Sequence, residues 1–288
     1  MKFTMFASGS KGNSFLAESR KTKILIDCGT TRKYLKNCMD AVHVSVSDLD
    51  AVVITHAHSD HVSQIAMFKD CRIYSPVKLP DISAEIVRPG MDIEIGDMIL
   101  SPLALSHDAS NTTGYILKCQ NEQLDYVTDT GYLNSAYYPA LKNADYIIME
   151  SNHDISMLMG SRRPQYVKSR ICSDYGHLCN EDCARILDQI VTERTQSIIL
   201  AHISQEANTC EKALAVNREY LLKQHAGKLN PALMLHAAGQ YEMIQGGEDN
   251  EKVDSSSCCC AIGLEYMSER VGGGHTDAAL CQPDCLRK

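Results

Sequence analysis

The sequence predicts an α/β layered domain, on three observations. Its 288 residues are 44% hydrophobic, enough to bury one large core. Short apolar runs rich in branched and aromatic residues alternate with helix-like segments over residues 1–245. Such runs dominate the first half and mix with helices in the second, the grammar of sheets layered against helices.

The strand-like runs are "KFTMFA", "SFLAE", "KTKILIDCG", "DLDAVVITH", "DIEIGDMILSPLAL", "TGYILKC", "LDYVTDTG", "ADYIIMES" and "SIILAHI". Helices are expected at about 29–39, 61–69, 134–142, 164–174, 180–192 and 205–224. In the fifth, "NEDCARILDQIVT", an Asn cap precedes acidic residues and then Ile186, Leu187, Ile190 and Val191 at helical spacing. From residue 246 Gly, Ser, charge and cysteine accumulate without a period, so 246–288 reads as a low-complexity, disordered tail. Its Cys258–Cys260 triplet, with His275, Cys281 and Cys285, is weak evidence for a zinc site.

Composition narrows the function classes. No run approaches the roughly 18 apolar residues of a membrane span, and "MKFTMFASGSKGNS" lacks the apolar stretch of a secretory signal. A cytoplasmic protein without a membrane partner is expected. Thirteen irregularly spaced cysteines read as reduced thiols rather than a disulfide framework. The net charge of -8 argues against a broadly basic nucleic-acid-binding surface, but bound divalent cations would reverse the sign within a cleft. A phosphodiester substrate therefore stays open.

The most informative stretch is "AVVITHAHSDH", in which a strand delivers His56, His58, Asp60 and His61 to its carboxyl end. Imidazoles and a carboxylate suit a borderline divalent ion, and one turn places donors for two neighbouring ions. This His-x-His-x-Asp-His pattern is similar to the signature of the metallo-β-lactamase fold, a four-layer αββα sandwich with a dinuclear metal site at one edge. The family's remaining ligands occur in order: "SHDASNTTGY" supplies His107, "TDTG" Asp129 and "LAHIS" His202.

By that resemblance His56, His58 and His107 hold one ion, Asp60, His61 and His202 the other, and Asp129 bridges them. Two cations roughly 3.5–4 Å apart acidify a shared water and clamp the oxygens of an in-line displacement. That makes Asp60 catalytic as well as metal-binding. Asp27, ending "ILID", resembles the family's carboxylate that orients a ligand from behind; a helix cap before "CGTTRKYL" is the alternative. Zn2+ and Mn2+ both suit the donor set, as does iron.

Aspartate rather than cysteine at 129 disfavours true β-lactamases. "MESNHD" and "YGHLCNEDCARIL" resemble the nuclease members of the superfamily, in which an acidic residue ends a strand and a "GHLS"-like turn opens a helix. Glu150 and His177 occupy those places. His177 would protonate the leaving oxygen, with His153 competing for that role and Glu150 fixing a tautomer. Cys179 stands where relatives carry serine, so a helix-capping bond would be lost, with Asn180 compensating.

The loop "SGSKGNS", including Ser10 and Asn13, would border the cleft and receive phosphate. "GSRRPQYVKSR" carries Arg162, Arg163, Lys168 and Arg170, either a phosphate-neutralising patch or a solvated helix face. The whole pattern resembles the WalJ (YycJ)-like exonuclease family, which implies a 5′-to-3′ exonuclease on DNA rather than RNA, with a part in mismatch repair. A small-molecule hydrolase of the same fold, for a cyclic phosphodiester or a thioester, and an RNA-processing nuclease remain the alternatives.

Overall fold

In the computed structural model of the protein the described residues are 1–225, 228–247 and 259–261. The first half contains β1 (Lys2–Ala7), β2 (Ser14–Glu18), β3 (Lys23–Ile26), α1 (Arg32–Ala41), β4 (Ala51–Val53), α2 (Ser59–Val62), β5 (Ile73–Ser75), β6 (Glu85–Ile86), β7 (Ile93–Ile95), β8 (Met98–Ala104), β9 (Thr113–Cys119) and β10 (Glu122–Val127). The second contains α3 (Tyr138–Leu141), β11 (Tyr146–Glu150), α4 (Ile155–Gly160), α5 (Gln165–Ile171), α6 (Asn180–Ile190), β12 (Ser197–Ala201), α7 (Cys210–Gln224), β13 (Met234–Ala237), β14 (Ile244–Gly247) and β15 (Cys259–Ala261).

The strands form two mixed sheets, ordered β14-β1-β2-β3-β4-β5-β6 and β15-β13-β12-β11-β10-β9-β8-β7. Three apolar clusters define the layers. Phe3, Phe15, Ile24 and Val53 meet Tyr115, Leu117, Tyr126, Ile148 and Ile199 between the sheets. Leu16, Leu25 and Val52, the alternate residues of the same strands, pack against Leu35 and Met39 of α1. Ile147, Met149, Ile198 and Leu200 pack against Leu187 and Ile190 of α6 and Leu214 and Leu221 of α7. Period-2 alternation thus sends apolar residues to both faces, which explains why these strands read as continuous apolar runs. The result is the expected αββα sandwich.

Strand direction places the site. β3 and β4 are parallel, and β1 shares their direction because two antiparallel pairings separate it from β3. In the other sheet β10, β11 and β12 are parallel, and β8 runs with them through β9. The segments following these seven strands carry Ser8, Asp27, His56, His107, Asp129 and His202, with Glu150 closing β11. Cross-sheet bonds hold that edge together: His202 N–H donates to Ser8 Oγ (2.7 Å) and Thr113 N–H to Thr55 O (3.0 Å).

Several elements differ from the sequence expectation. The helix expected at 61–69 is the single turn α2 followed by a 3-10 turn, Ile65–Phe68. The run 92–105 is a hairpin, β7 and β8, turning at Gly96 with φ of 58°. The α7 helix begins at Cys210 rather than 205, because the Thr209 side chain caps it by accepting from Lys212 N–H. The boundary drawn at 245 falls inside β14, which pairs with β1 through Gly247. The strand Cys259–Ala261, within the segment read as a tail, pairs with β13. The rest of that segment, including Cys258, His275, Cys281 and Cys285, lies outside the described residues.

Candidate metal centre

The turn after β4 is laced to two neighbouring loops before any ligand is considered. Asn13 N–H donates to Asp60 O (2.8 Å), Cys28 N–H to His61 O (2.8 Å), and Ser63 Oγ to Gly29 O (2.9 Å). The chains approach so closely at Gly29 that a Cβ there would sit 1.6 Å from Asp60 O. Only glycine fits such a crossing. Asp27, Asp129 and His202 all adopt left-handed backbone, with φ of 58°, 58° and 54°. Three non-glycine residues in that region at one edge of the sandwich mark a place where strain is held by the surrounding structure.

The donors converge. His56, His58 and His107 bring ligand atoms within 4.8 Å of one another, as do His56, His61 and Asp129, and as do Asp129, Glu150, His177 and His202. Asp129 lies between the sets: Oδ2 is 3.4 Å from His61 Nε2, and Oδ1 is 3.4 Å from His202 Nε2 and 3.9 Å from His107 Nε2. Asp60 Oδ2 is 3.6 Å from His61 Nε2. His56 Nε2, His202 Nε2 and Asp129 Oδ2 are buried with no hydrogen-bond partner. Buried orphans of this kind are costly, and their convergence fits a bound cation pair. Imidazole and carboxylate donors in three overlapping groups fit the di-metal site typical of the fold.

The residues behind the donors fix which nitrogen faces inward. Asp27, fully buried, accepts from His61 Nδ1 (2.7 Å), from Thr55 N–H (2.9 Å) and from Thr55 Oγ (2.8 Å). This leaves His61 Nε2 toward Asp60 and Asp129. His107 Nδ1 donates to Gly176 O (3.1 Å), turning its Nε2 toward the site. Glu150 Oε1 accepts from both His177 Nδ1 and His202 Nδ1, each at 2.8 Å, while Oε2 accepts from Thr130 N–H (3.0 Å) and Leu178 N–H (3.1 Å). The His177 ring lies 5.0 Å from both the His107 and His202 rings, with its side chain 15% exposed.

The electrostatics ask for positive charge. Burial disfavours a charged His61, but Asp27 and Asp129 outweigh it and raise the ring to about 9. His202 follows the same logic, with Asp129 and Glu150 overcoming burial to reach about 9. His56 goes the other way: burial and its imidazole neighbours push it down to about 2. Glu150, despite burial, is drawn down to about 2 by His177 and His202. The Asp129 carboxyl falls well below its ordinary range for the same reason, burial being outweighed by the histidines around it. Replacing Asp27 with alanine should lower metal affinity about 10- to 100-fold. Titration followed by elemental analysis after desalting measures this, and unchanged retention would give Asp27 a purely structural part.

Not every expected residue reaches the centre. His153 is 2% exposed, its Nε2 facing Cys172 Sγ at 3.8 Å, and it joins none of the three donor groups. Asn13 is buried in the first loop with its amide nitrogen 2.9 Å from His61 Nε2, while Ser10 is exposed at that loop's tip. The basic patch is largely spent on local contacts. Arg163 pairs with Glu206 (2.8 Å), Lys168 donates to Met159 O (2.6 Å), and Arg170 pairs with Asp108; Arg162 is exposed. Cys179 keeps the capping role thought lost, its sulfur accepting from Asp182 N–H at 3.4 Å. Asn180 instead accepts from Ser151 Oγ.

Sequence reasoning missed Asp108 and Asn152. Asp108 Oδ1 lies 3.1 Å from His107 Nε2 and 3.8 Å from His58 Nε2, and its place beside His107 in the quoted stretch was the available signal. Asn152 donates to His202 O (2.7 Å), and nothing in its local sequence announces that.

Fold and donor set together define a metal-dependent hydrolase with overlapping His/Asp/Glu donor groups at the edge of an αββα sandwich. Residues 22–203 match the family described as the beta-lactamase superfamily domain. The chain is 32% identical to "Exodeoxyribonuclease YycJ" of Bacillus anthracis over 227 residues, covering 74% of this chain and 86% of that one. It is also 32% identical over 228 residues to "Exodeoxyribonuclease WalJ" of Streptococcus pneumoniae, covering 74% and 85%. Among solved structures, the metallo-beta-lactamase fold protein YhfI of Bacillus subtilis superposes with a TM-score of 0.61 at 16% identity, over 85% of this chain and 99% of that one. The chain belongs to the metallo-β-lactamase-fold superfamily and is homologous to the WalJ/YycJ-like exonucleases.

Proposed function

We propose that this protein hydrolyses phosphodiester bonds in nucleic acid, as a 5′-to-3′ exonuclease on DNA with a part in mismatch repair. The observation that carries the reading is the His177–Glu150–His202 arrangement, which sets a partly exposed imidazole beside the donor cluster. A phosphodiester differs from an amide or thioester in expelling a poorly stabilised alkoxide, so a positioned proton donor is the feature to look for. With Nδ1–H donated to Glu150, a doubly protonated His177 carries its second proton on Nε2 and can give it to the departing oxygen, returning to the neutral ring. The relatives described as exodeoxyribonucleases support DNA as substrate.

The divalent pair, zinc or manganese with iron also accommodated, would be held by His56, His58 and His107 and by Asp60, His61 and His202 across Asp129; when bound it supplies an acidified water and positive charge for in-line displacement. The chain's own work is orientation. Asp27 and Gly176 O set the His61 and His107 tautomers, Asn13 braces the first loop by accepting from Gly9 N–H, and Ser10 at its tip receives phosphate, with exposed Arg162 as a further contact. Among the described residues no helix is long and apolar enough to cross a membrane. The eight cysteines from Cys28 to Cys210 are free thiols, which supports a reducing, cytoplasmic setting.

Digestion of end-labelled DNA and RNA, single- and double-stranded, across a metal series tests the reading. Stepwise shortening of 5′-phosphorylated DNA that requires divalent metal is expected. Turnover confined to small esters, with intact oligonucleotides, would reject it.

A further inference from the structure

Beside the donor cluster lies a cavity of about 300 Å³, the size of pocket that takes a single ring-sized group. Its inner wall is joined to the catalytic edge through one carboxylate. Glu150 Oε2 accepts from the backbone of Thr130 and of Leu178, the two segments that bound the cavity, while Oε1 holds His177 and His202. The wall is tightly built: a Cβ on Gly131 would sit 2.2 Å from Ser173 O. Leu178, buried, and Ile186 from α6 form an apolar floor. Tyr132 and Tyr138 form an aromatic side, with Tyr132 half exposed.

The rim carries Asp174, Asp182 and Arg185, and Arg185 is paired with Asp182 at 2.9 Å. One negative charge is left over, so the cavity repels a phosphate. It offers instead an aromatic face, an apolar floor, and carboxylate acceptors and guanidinium donors at the edge. That combination suits a neutral, flat heterocycle with hydrogen-bonding edges.

We propose that this cavity is a nucleobase pocket, in which the base of the nucleotide carrying the departing oxygen leaves its neighbours and stacks on Tyr132. The proposal rests on the nuclease reading above, because its position follows from His177. His177 directly precedes Leu178 of the cavity floor, and Asp129 lies two residues before Gly131 of its wall, so the nucleoside bonded to the oxygen that His177 protonates has this cavity as its neighbouring pocket. Tyr132 is then a positioning residue for the terminal nucleotide, and the chain must engage at least one unpaired base at each turnover.

The test compares single-stranded oligonucleotides whose removable end carries either a natural or an abasic nucleotide, cut by the wild type, Tyr132→Ala and Tyr132→Phe. Tyr132→Ala should raise KM for the base-bearing substrate by about tenfold or more. The abasic substrate should show little change, kcat should be largely preserved on both, and Tyr132→Phe should behave as wild type. A KM that stays the same in Tyr132→Ala, or rises equally on both substrates, overturns the pocket while leaving the nuclease intact. If the wild type cuts no oligonucleotide at all, the nuclease reading fails and the pocket falls with it.

Discussion

Asp129→Asn should lose at least about a thousandfold in turnover, since a cation pair contributes several kcal/mol of charge stabilisation and this carboxylate is shared by two of the three donor groups. Asparagine is the informative replacement. It matches aspartate in shape and tolerates the left-handed backbone found there, φ of 58°, so the loop should survive and only the anion is removed. The loss is specific because Asp129 faces His61, His107 and His202 together, within 3.4–3.9 Å. Without it three imidazoles converge around a neutral amide. Elemental analysis should show reduced metal alongside the lost activity. Full activity with full metal content would remove Asp129 from the centre.

His177→Ala should behave differently, lowering kcat by about 10²- to 10⁴-fold, the usual range for a lost general acid, with metal content unchanged. The contrast rests on what each side chain touches: His177 meets the cluster through Glu150, and its ring is partly open to solvent. A diester with an aryl leaving group needs no proton to depart, so the defect on bis-p-nitrophenyl phosphate should shrink markedly. Should His177→Ala instead strip metal from the protein, His177 is a ligand and another group supplies the proton.

The sequence made the dispersed donors legible because each follows an apolar run that strand alternation and burial on both faces explain. His56, His107, Asp129 and His202 all stand just past such runs, and parallel strand direction gathers them at one edge. What stayed hidden is set by distant contacts. β5 and β6 are three and two residues long and are defined by pairing in succession onto β4. The strand "IQGG" owes its existence to β1, more than 230 positions earlier in the chain, against the preference of glycine for turns. Arg163 and Arg170 looked like free positive charge, since Glu206 and Asp108 come close only in three dimensions. His153 looked available for catalysis for a similar reason: no local pattern reveals that its ring is enclosed.

The two sheets contribute to the centre almost equally, His56, His58, Asp60 and His61 from one and His107, Asp129 and His202 from the other. An ion held among them therefore works as a rivet through the seam as well as a reagent. Chelators should loosen how the halves align while sparing the ladders within each, so that catalysis fades under mild stripping well before backbone circular dichroism registers any change.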